Sequence, residues 1–319
     1  MRAYAIRRFL LIIPTVIVLT ILVFLIVRLI PGSVLDLMVA QREARFAEES
    51  LDRDALEKML GLDVPIHVQY LRWIGGIFRG DLGKSLWSSF TLVQALRQKL
   101  PVTIELSLLS MLVSFGLAIP IGMYAAIRQD TMGDYIMRTF SILALAVPGF
   151  WIASLIMIWP SIWWDWSPTM EYIPLVKNPL GNLGQFMLPA AIMGLTTAGG
   201  IMRIARTMML EVMRQDYIRT AWAKGLRERM VVLRHAAKNT LIPVITIAGG
   251  MIPTLLGGSV IMEQIFALPG MGRYLLTAVT GRDYPIISGY NLIMALLVMI
   301  IIVVTDLSYA YVDPRIRYR

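Results

Sequence analysis

The sequence predicts an all-α polytopic membrane protein with six transmembrane helices, and three observations predict it. Of its 319 residues 57% are hydrophobic and only 16% charged, against about 25% charged in an ordinary soluble domain. Long stretches without Asp, Glu, Lys or Arg recur along the chain. The charge that remains, a net +9, collects in a few flanking segments. Cysteine is absent, which excludes a disulfide framework and thiolate metal ligation in this chain.

The first uncharged run, Phe9–Val27, lies between Arg8 and Arg28. At ~1.5 Å per residue it reaches roughly 28 Å, the thickness of a hydrocarbon core. A cleaved signal peptide is its rival, since Arg2, Arg7 and Arg8 precede it. The run exceeds the roughly 7–15 residues of a signal core, and Arg28 and Pro31-Gly32 follow where an Ala-x-Ala site would stand, so a retained helix is expected. Residues 1–30 thus form a tail and first span, 31–98 an extracytoplasmic segment with short helices, and 99–319 spans two to six. Within 31–98, Ser50–Leu60 reads as a short helix, and a second starts near Asp63 and Pro65 with Leu71, Ile74 and Phe78 on one face. That segment caps an outer mouth or lies in the interface plane.

The remaining runs are Leu106–Ile127, Thr139–Trp164, Asn178–Met202, Asn239–Met262 and Tyr284–Thr305. A charge at a helix centre costs ~2.5–3.5 kcal/mol on insertion, so runs this clean are hard to explain in a soluble core. Pro120, Pro148, Pro189, Pro243 and Pro253 punctuate them, with paired glycines at 199–200, 249–250 and 257–258. Such residues suit close helix packing, in a moving pathway or in a static bundle.

Orientation follows from the flanks. Arg2, Arg7 and Arg8 precede span one, and Arg315, Arg317 and Arg319 follow span six. The 203–238 loop carries Arg203, Arg206, Arg214, Arg219, Lys224, Arg227, Arg229, Arg234 and Lys238. The positive-inside rule makes that loop and both termini cytoplasmic. The positive charge is then topological, with no nucleic-acid motif beside it.

In the loop, Ile218, Ala221, Trp222 and Gly225 fall at i, i+3, i+4 and i+7, a small apolar stripe on one helix face. Gly225 suits the positive φ that ends a helix. Two uses of the stripe stay open: insertion into a partner's groove, or rest on lipid headgroups.

Here the chain resembles the inner-membrane permeases of binding-protein-dependent ABC transporters, in the dipeptide, oligopeptide and nickel branch, and among them the first, B-type permease of the pair. The resemblance rests on Asp216-Tyr217-Ile218-Arg219-Thr220-Ala221-Trp222-Ala223-Lys224-Gly225-Leu226, then Arg234-His235 and Asn239, which look like that family's ATPase-contacting loop. Arg219-Thr220 replace the wider family's Glu-Ala, Trp222 stands where Arg is expected, and Lys238 stands where some relatives have Pro. In order along the chain, Tyr4, Arg28 to Gly32, Gly61-Leu62-Asp63, Gln69-Tyr70, Gly80-Asp81-Leu82-Gly83 with Ser85, Val147-Pro148, Glu263, Phe266, Pro269-Gly270, Gly272 and Asp283-Tyr284-Pro285 continue the match.

The resemblance implies a type I importer permease that is not itself an enzyme and holds no cofactor or metal. ATP and Mg belong to partner subunits. Its expected partners are a second homologous permease, two cytoplasmic ATPase subunits, an extracytoplasmic solute-binding protein and the lipid bilayer of the inner membrane. Di- or oligopeptides are the expected cargo, with nickel, glutathione or an oligosaccharide as alternatives.

Several residues have rival readings. Gly83-Lys84-Ser85 is no phosphate loop, because Phe78 stands where its first glycine belongs. His67 and His235, the only histidines, cannot form a metal pair across the membrane. Glu105 and Asp306 lie at span edges, where they reach the interface or bond a neighbouring helix. Glu263, Phe266, Pro269, Gly270 and Gly272 follow span five, as an outer gate or a structural turn. A secondary ion-coupled transporter would carry mid-membrane polar sites, which these clean spans lack. A membrane hydrolase would need a nucleophile and base within reach.

Overall fold

In a computed structural model of the chain, residues 2–28, 35–36, 57–58 and 61–312 are described, without the side chains of 2–11, 242, 246–248 and 306–312. The expected helix over 50–60 apart from 57–58, the Arg28–Gly32 turn beyond Arg28, Arg315, Arg317 and Arg319, and the Asp306 side chain lie outside them. The described residues are mostly helical, with turns, irregular segments such as 165–178 and one isolated Lys84–Thr91 bridge. In order they form α1 (Arg2–Arg28), α2 (Ile66–Phe78), α3 (Leu92–Ile127), α4 (Met132–Ala146), α5 (Gly149–Trp164), α6 (Pro179–Met213) and α7 (Asp216–Ala223). A turn at Glu228–Met230 and a π-helical stretch at Val231–Ala236 lead into α8 (Ala237–Gly249), α9 (Ile252–Ile265), α10 (Met271–Thr280) and α11 (Tyr284–Val312).

Among the described residues α3, α6 and the Tyr284–Thr305 part of α11 are long and apolar enough to cross a membrane. A fourth candidate is the pair α4 and α5, bent by 86°. The first predicted run lies inside α1. The third and fifth runs are not continuous helices, and proline explains both breaks. Pro148 forces Val147 into extended backbone, φ −87 and ψ 120, so α4 stops there. Pro253 has no amide hydrogen and its ring excludes a helical partner four residues back, at Gly249, where α8 ends. Within the predicted 203–238 loop, Arg203–Met213 continue α6 as helix, Asp216–Ala223 form α7, and helix resumes at Glu228.

Two compact units are present, each described by itself. The first combines residues 1–100 with 273–299. In it α2 seats on α1: Phe24 meets the Tyr70 ring at 5.3 Å, and Thr20 Oγ1 and Tyr70 OH lie 2.9 Å apart. The Arg28 guanidinium lies 3.6 Å over the Phe24 ring and donates to Gln69. The contact face of α2 is therefore Gln69, Tyr70 and Trp73, while the predicted stripe ends in Phe78 at 88% exposed.

The same unit shows what the Gly80 to Ser85 segment does. Gly80 and Gly83 take φ of +84 and +105, open to glycine, and Gly83 lies against Pro285. Ser85 Oγ donates to Asp283 at 2.5 Å, the Leu86 amide donates to it at 3.2 Å, and Trp87 Nε1 donates to the Gly281 carbonyl at 2.6 Å. Asp283 also accepts from the Ile286 amide, capping α11. Burial pushes its carboxyl above the usual carboxylate range, and these hydrogen bonds pull it partly back.

The second unit, residues 101–272 with 300–319, is built around α6. Its glycines let backbones meet: a Cβ on Gly122 would stand 2.6 Å from the Met202 carbonyl, on Gly194 2.7 Å from that of Ser110, and on Gly199 2.7 Å from that of Ser141. Small residues at crossings of this kind are how apolar helices associate without a hydrophobic drive between them.

Candidate functional site

The eight-residue α7 is where sequence and structure meet most closely. Ile218 and Ala221 are buried, packed with Met123 and Ala126 of α3, Met209 of α6, and Val231, Val232 and Ala236 of the π-helical stretch. The predicted stripe is therefore split. Its Ile218 and Ala221 half seats α7 on its own chain, and burying Ile218 fully contributes about 1.5–3 kcal/mol. Trp222, 42% exposed, remains on the surface with Asp216, Tyr217, Ala223, Lys224 and Gly225.

The far end of α7 closes as a Schellman motif. Gly225, at φ +74, donates to the Trp222 carbonyl at 2.9 Å, and the Leu226 amide reaches back to Ala221 at 3.4 Å. Leu226 packs into the same apolar cluster as Ala221. A second tie comes from Tyr217, whose hydroxyl accepts from Asn239 Nδ2 at 2.8 Å; that amide also donates to the His235 carbonyl at 3.2 Å. Arg234 is exposed and His235 half-buried, both within the π-helical stretch. π-Helical turns are rare and frequent at functional sites.

Asp134 of α4 and Arg206 of α6 form an ion pair that the sequence reading missed. Asp134 is fully buried and Arg206 19% exposed. Thr131 caps α4, its Oγ1 accepting from the Asp134 amide, and the Asp134 carboxylate accepts from the Asp130 amide. The sequence hides Arg206 because the uncharged run ends at Arg203.

The residues expected at an outer gate lie inside the second unit. Glu263, Phe266, Gly270 and Gly272 are all buried. Thr103 Oγ1 of α3 donates to Glu263 at 2.6 Å and accepts from the Met271 amide at 2.9 Å. Glu105 is half-buried, and its Oε1 has no hydrogen-bond partner among the described residues, while the Asn182 side-chain amide donates to the Ile173 carbonyl at 2.9 Å. Among the described residues no cluster of three or more metal-ligating side chains exists.

The chain matches the family described as the binding-protein-dependent transport system inner membrane component over residues 118–318, and that family's N-terminal region over residues 1–107. It is 38% identical over 321 residues to the oligopeptide transport system permease protein AppB of Bacillus subtilis (strain 168), covering 100% of both chains. To the dipeptide transport system permease protein DppB of Escherichia coli (strain K12) it is 34% identical over 343 residues, again covering 100% of both. A solved amino acid ABC transporter chain superposes with a TM-score of 0.49 at 12% identity, over 70% of this chain and 95% of that one. The chain belongs to the binding-protein-dependent transport system inner membrane components, and is a membrane-embedded permease working with other subunits of an ABC transporter.

Proposed function

We propose that this permease forms half of the translocation pathway of an ABC importer for di- or oligopeptides, and that α7 is its lever to an ATPase subunit. One observation carries the second part. The α7 helix is fastened to α3, α6 and the π-helical stretch by its inner face, while Trp222, Ala223 and Lys224 face outward. A push on that outer face has a rigid route into two helices of membrane-spanning length. The peptide cargo is supported by relatives named for oligopeptide and dipeptide transport at full-length coverage.

On this reading the termini and α7 lie in the cytoplasm, where ATP and Mg act on the partner ATPases and this chain holds no cofactor. A second permease completes the pathway, and an extracytoplasmic binding protein delivers the peptide. The Asp216 to Leu226 segment with Arg234 and His235 makes the ATPase contact. Glu263, Phe266, Pro269, Gly270 and Gly272 brace the outer turn that moves with the gate.

Reconstitution of the five-component system in vesicles tests this. ATP-dependent uptake of a labelled dipeptide is expected, lost when either ATPase is omitted. Uptake driven by an ion gradient without any ATPase would overturn it. Trp222→Ala and Gly225→Asp are expected to lower peptide-stimulated ATP hydrolysis and uptake together; if both variants leave both activities intact, α7 is not the lever.

A further inference from the structure

A cavity of about 310 Å³ opens in the second unit between α3, α4 and α6, and its polar lining is dominated by Arg138, Arg203 and Arg206, with Ser141 and Thr207 beside them. Its charge is not balanced. Asp134 answers Arg206 through Nε and one Nη, which leaves further guanidinium donors on that side chain. Among the described residues neither Arg138 nor Arg203 has a carboxylate in ion-pair contact, and Arg138 instead lies 5.7 Å from the Tyr135 ring centre. Both are exposed at the cavity rim.

We propose that this cavity binds the phosphate of an anionic phospholipid. Arginine presents forked N–H donors suited to phosphate oxygens, and Arg206 is held in place by the buried Asp134, so part of the site is ordered in advance. The lipid source is favoured over free phosphate by what adjoins the arginines. Ile142 lines the cavity and is 65% exposed, and Ile136, Phe140 and Leu143 continue an exposed apolar surface along α4. A headgroup in the cavity leaves its acyl chains against that surface. Basic pockets between membrane helices bind lipid headgroups on this principle.

The test is native mass spectrometry of the delipidated transporter complex titrated with phosphatidylglycerol, with phosphatidylcholine as the zwitterionic comparison. Binding of phosphatidylglycerol is expected to weaken about five-fold for Arg203→Gln and about twenty-five-fold for Arg138→Gln with Arg203→Gln, since each arginine contributes about 1 kcal/mol near an anionic headgroup. The Arg138→Lys, Arg203→Lys variant is expected to recover most of it, and would separate lost charge from lost folding. Phosphatidylcholine binding as strong as phosphatidylglycerol binding, or phosphatidylglycerol binding unmoved by the glutamine variants, overturns the site. So does calorimetry in which inorganic phosphate binds with the same arginine dependence while phosphatidylglycerol does not.

Discussion

Arg206 grips Asp134 with two parallel hydrogen bonds, Nε to Oδ1 at 2.8 Å and Nη2 to Oδ2 at 2.7 Å. The pair joins the start of α4 to the last turns of α6. Removing Arg206 leaves the fully buried Asp134 carboxylate without its partner, which costs about 3–5 kcal/mol, far more than the pair itself is worth. Arg206→Met is therefore expected to lower thermal stability of the purified protein sharply. The double variant Asp134→Leu, Arg206→Met is expected to recover much of that loss. A loss in the double variant equal to the sum of the losses in the two single variants would show that the pair is not coupled.

Gly225 tests the end of α7. A Cβ there would meet nothing within 4 Å, so the cost of substitution is conformational alone. At φ +74 an alanine costs about 1 kcal/mol, asparagine less, and valine more. Hydrogen exchange should read this directly: the Gly225 and Leu226 amides, which close the Schellman motif, are expected to exchange about five-fold faster in Gly225→Ala. Unchanged exchange at both amides would contradict the capping role.

Asp283 gives a pH dependence whose sign is fixed by its burial. Its folded pKa is raised above the unfolded one, so folding takes up a proton. Its contribution is fully present below the ordinary carboxylate range and is lost as pH rises through the raised folded value. The wild-type protein should gain stability relative to Asp283→Asn as pH falls through that interval. Asparagine keeps an oxygen for the Ile286 amide at the start of α11 while removing the titration. Parallel unfolding curves for the two proteins across that interval would refute the assignment.

Much of this was legible in the sequence, for identifiable reasons. Gly225 announced the end of α7 because positive φ is a property of one residue. The Gly80 to Ser85 and Asp283 to Pro285 motifs were both visible, but their contact across nearly 200 residues was not. No periodicity encodes it, since it depends on how a turn closes on Gly83 and Pro285. The split of the α7 stripe was hidden for a related reason. Helical spacing places Ile218, Ala221 and Trp222 together, yet only packing decides that two turn inward and one stays out. The 86° bend beside Pro148 was signalled as punctuation, but its angle follows from tertiary packing.

Glu263, Thr103 and Gly270 meet at one buried spot. Thr103 Oγ1 both donates to the Glu263 carboxyl and accepts from the Met271 amide, so one hydroxyl ties α3 to α9 and to the start of α10. Gly270 lies so close to the Glu263 carboxyl that a methyl group there would collide with it. Thr103→Val keeps the volume and loses both bonds, at about 1–3 kcal/mol, because the Met271 amide is left buried without this partner. Gly270→Ala overpacks the same spot and is expected to cost at least as much. The two sites differ in how they can be relieved. Shortening the neighbour, in Gly270→Ala with Glu263→Ala, removes the collision and should restore part of the stability lost in Gly270→Ala alone, whereas adding Glu263→Ala to Thr103→Val restores nothing at the Met271 amide. Thermal unfolding of the four variants separates these outcomes, and a neutral Gly270→Ala would mean that Glu263 does not fill the space against this turn.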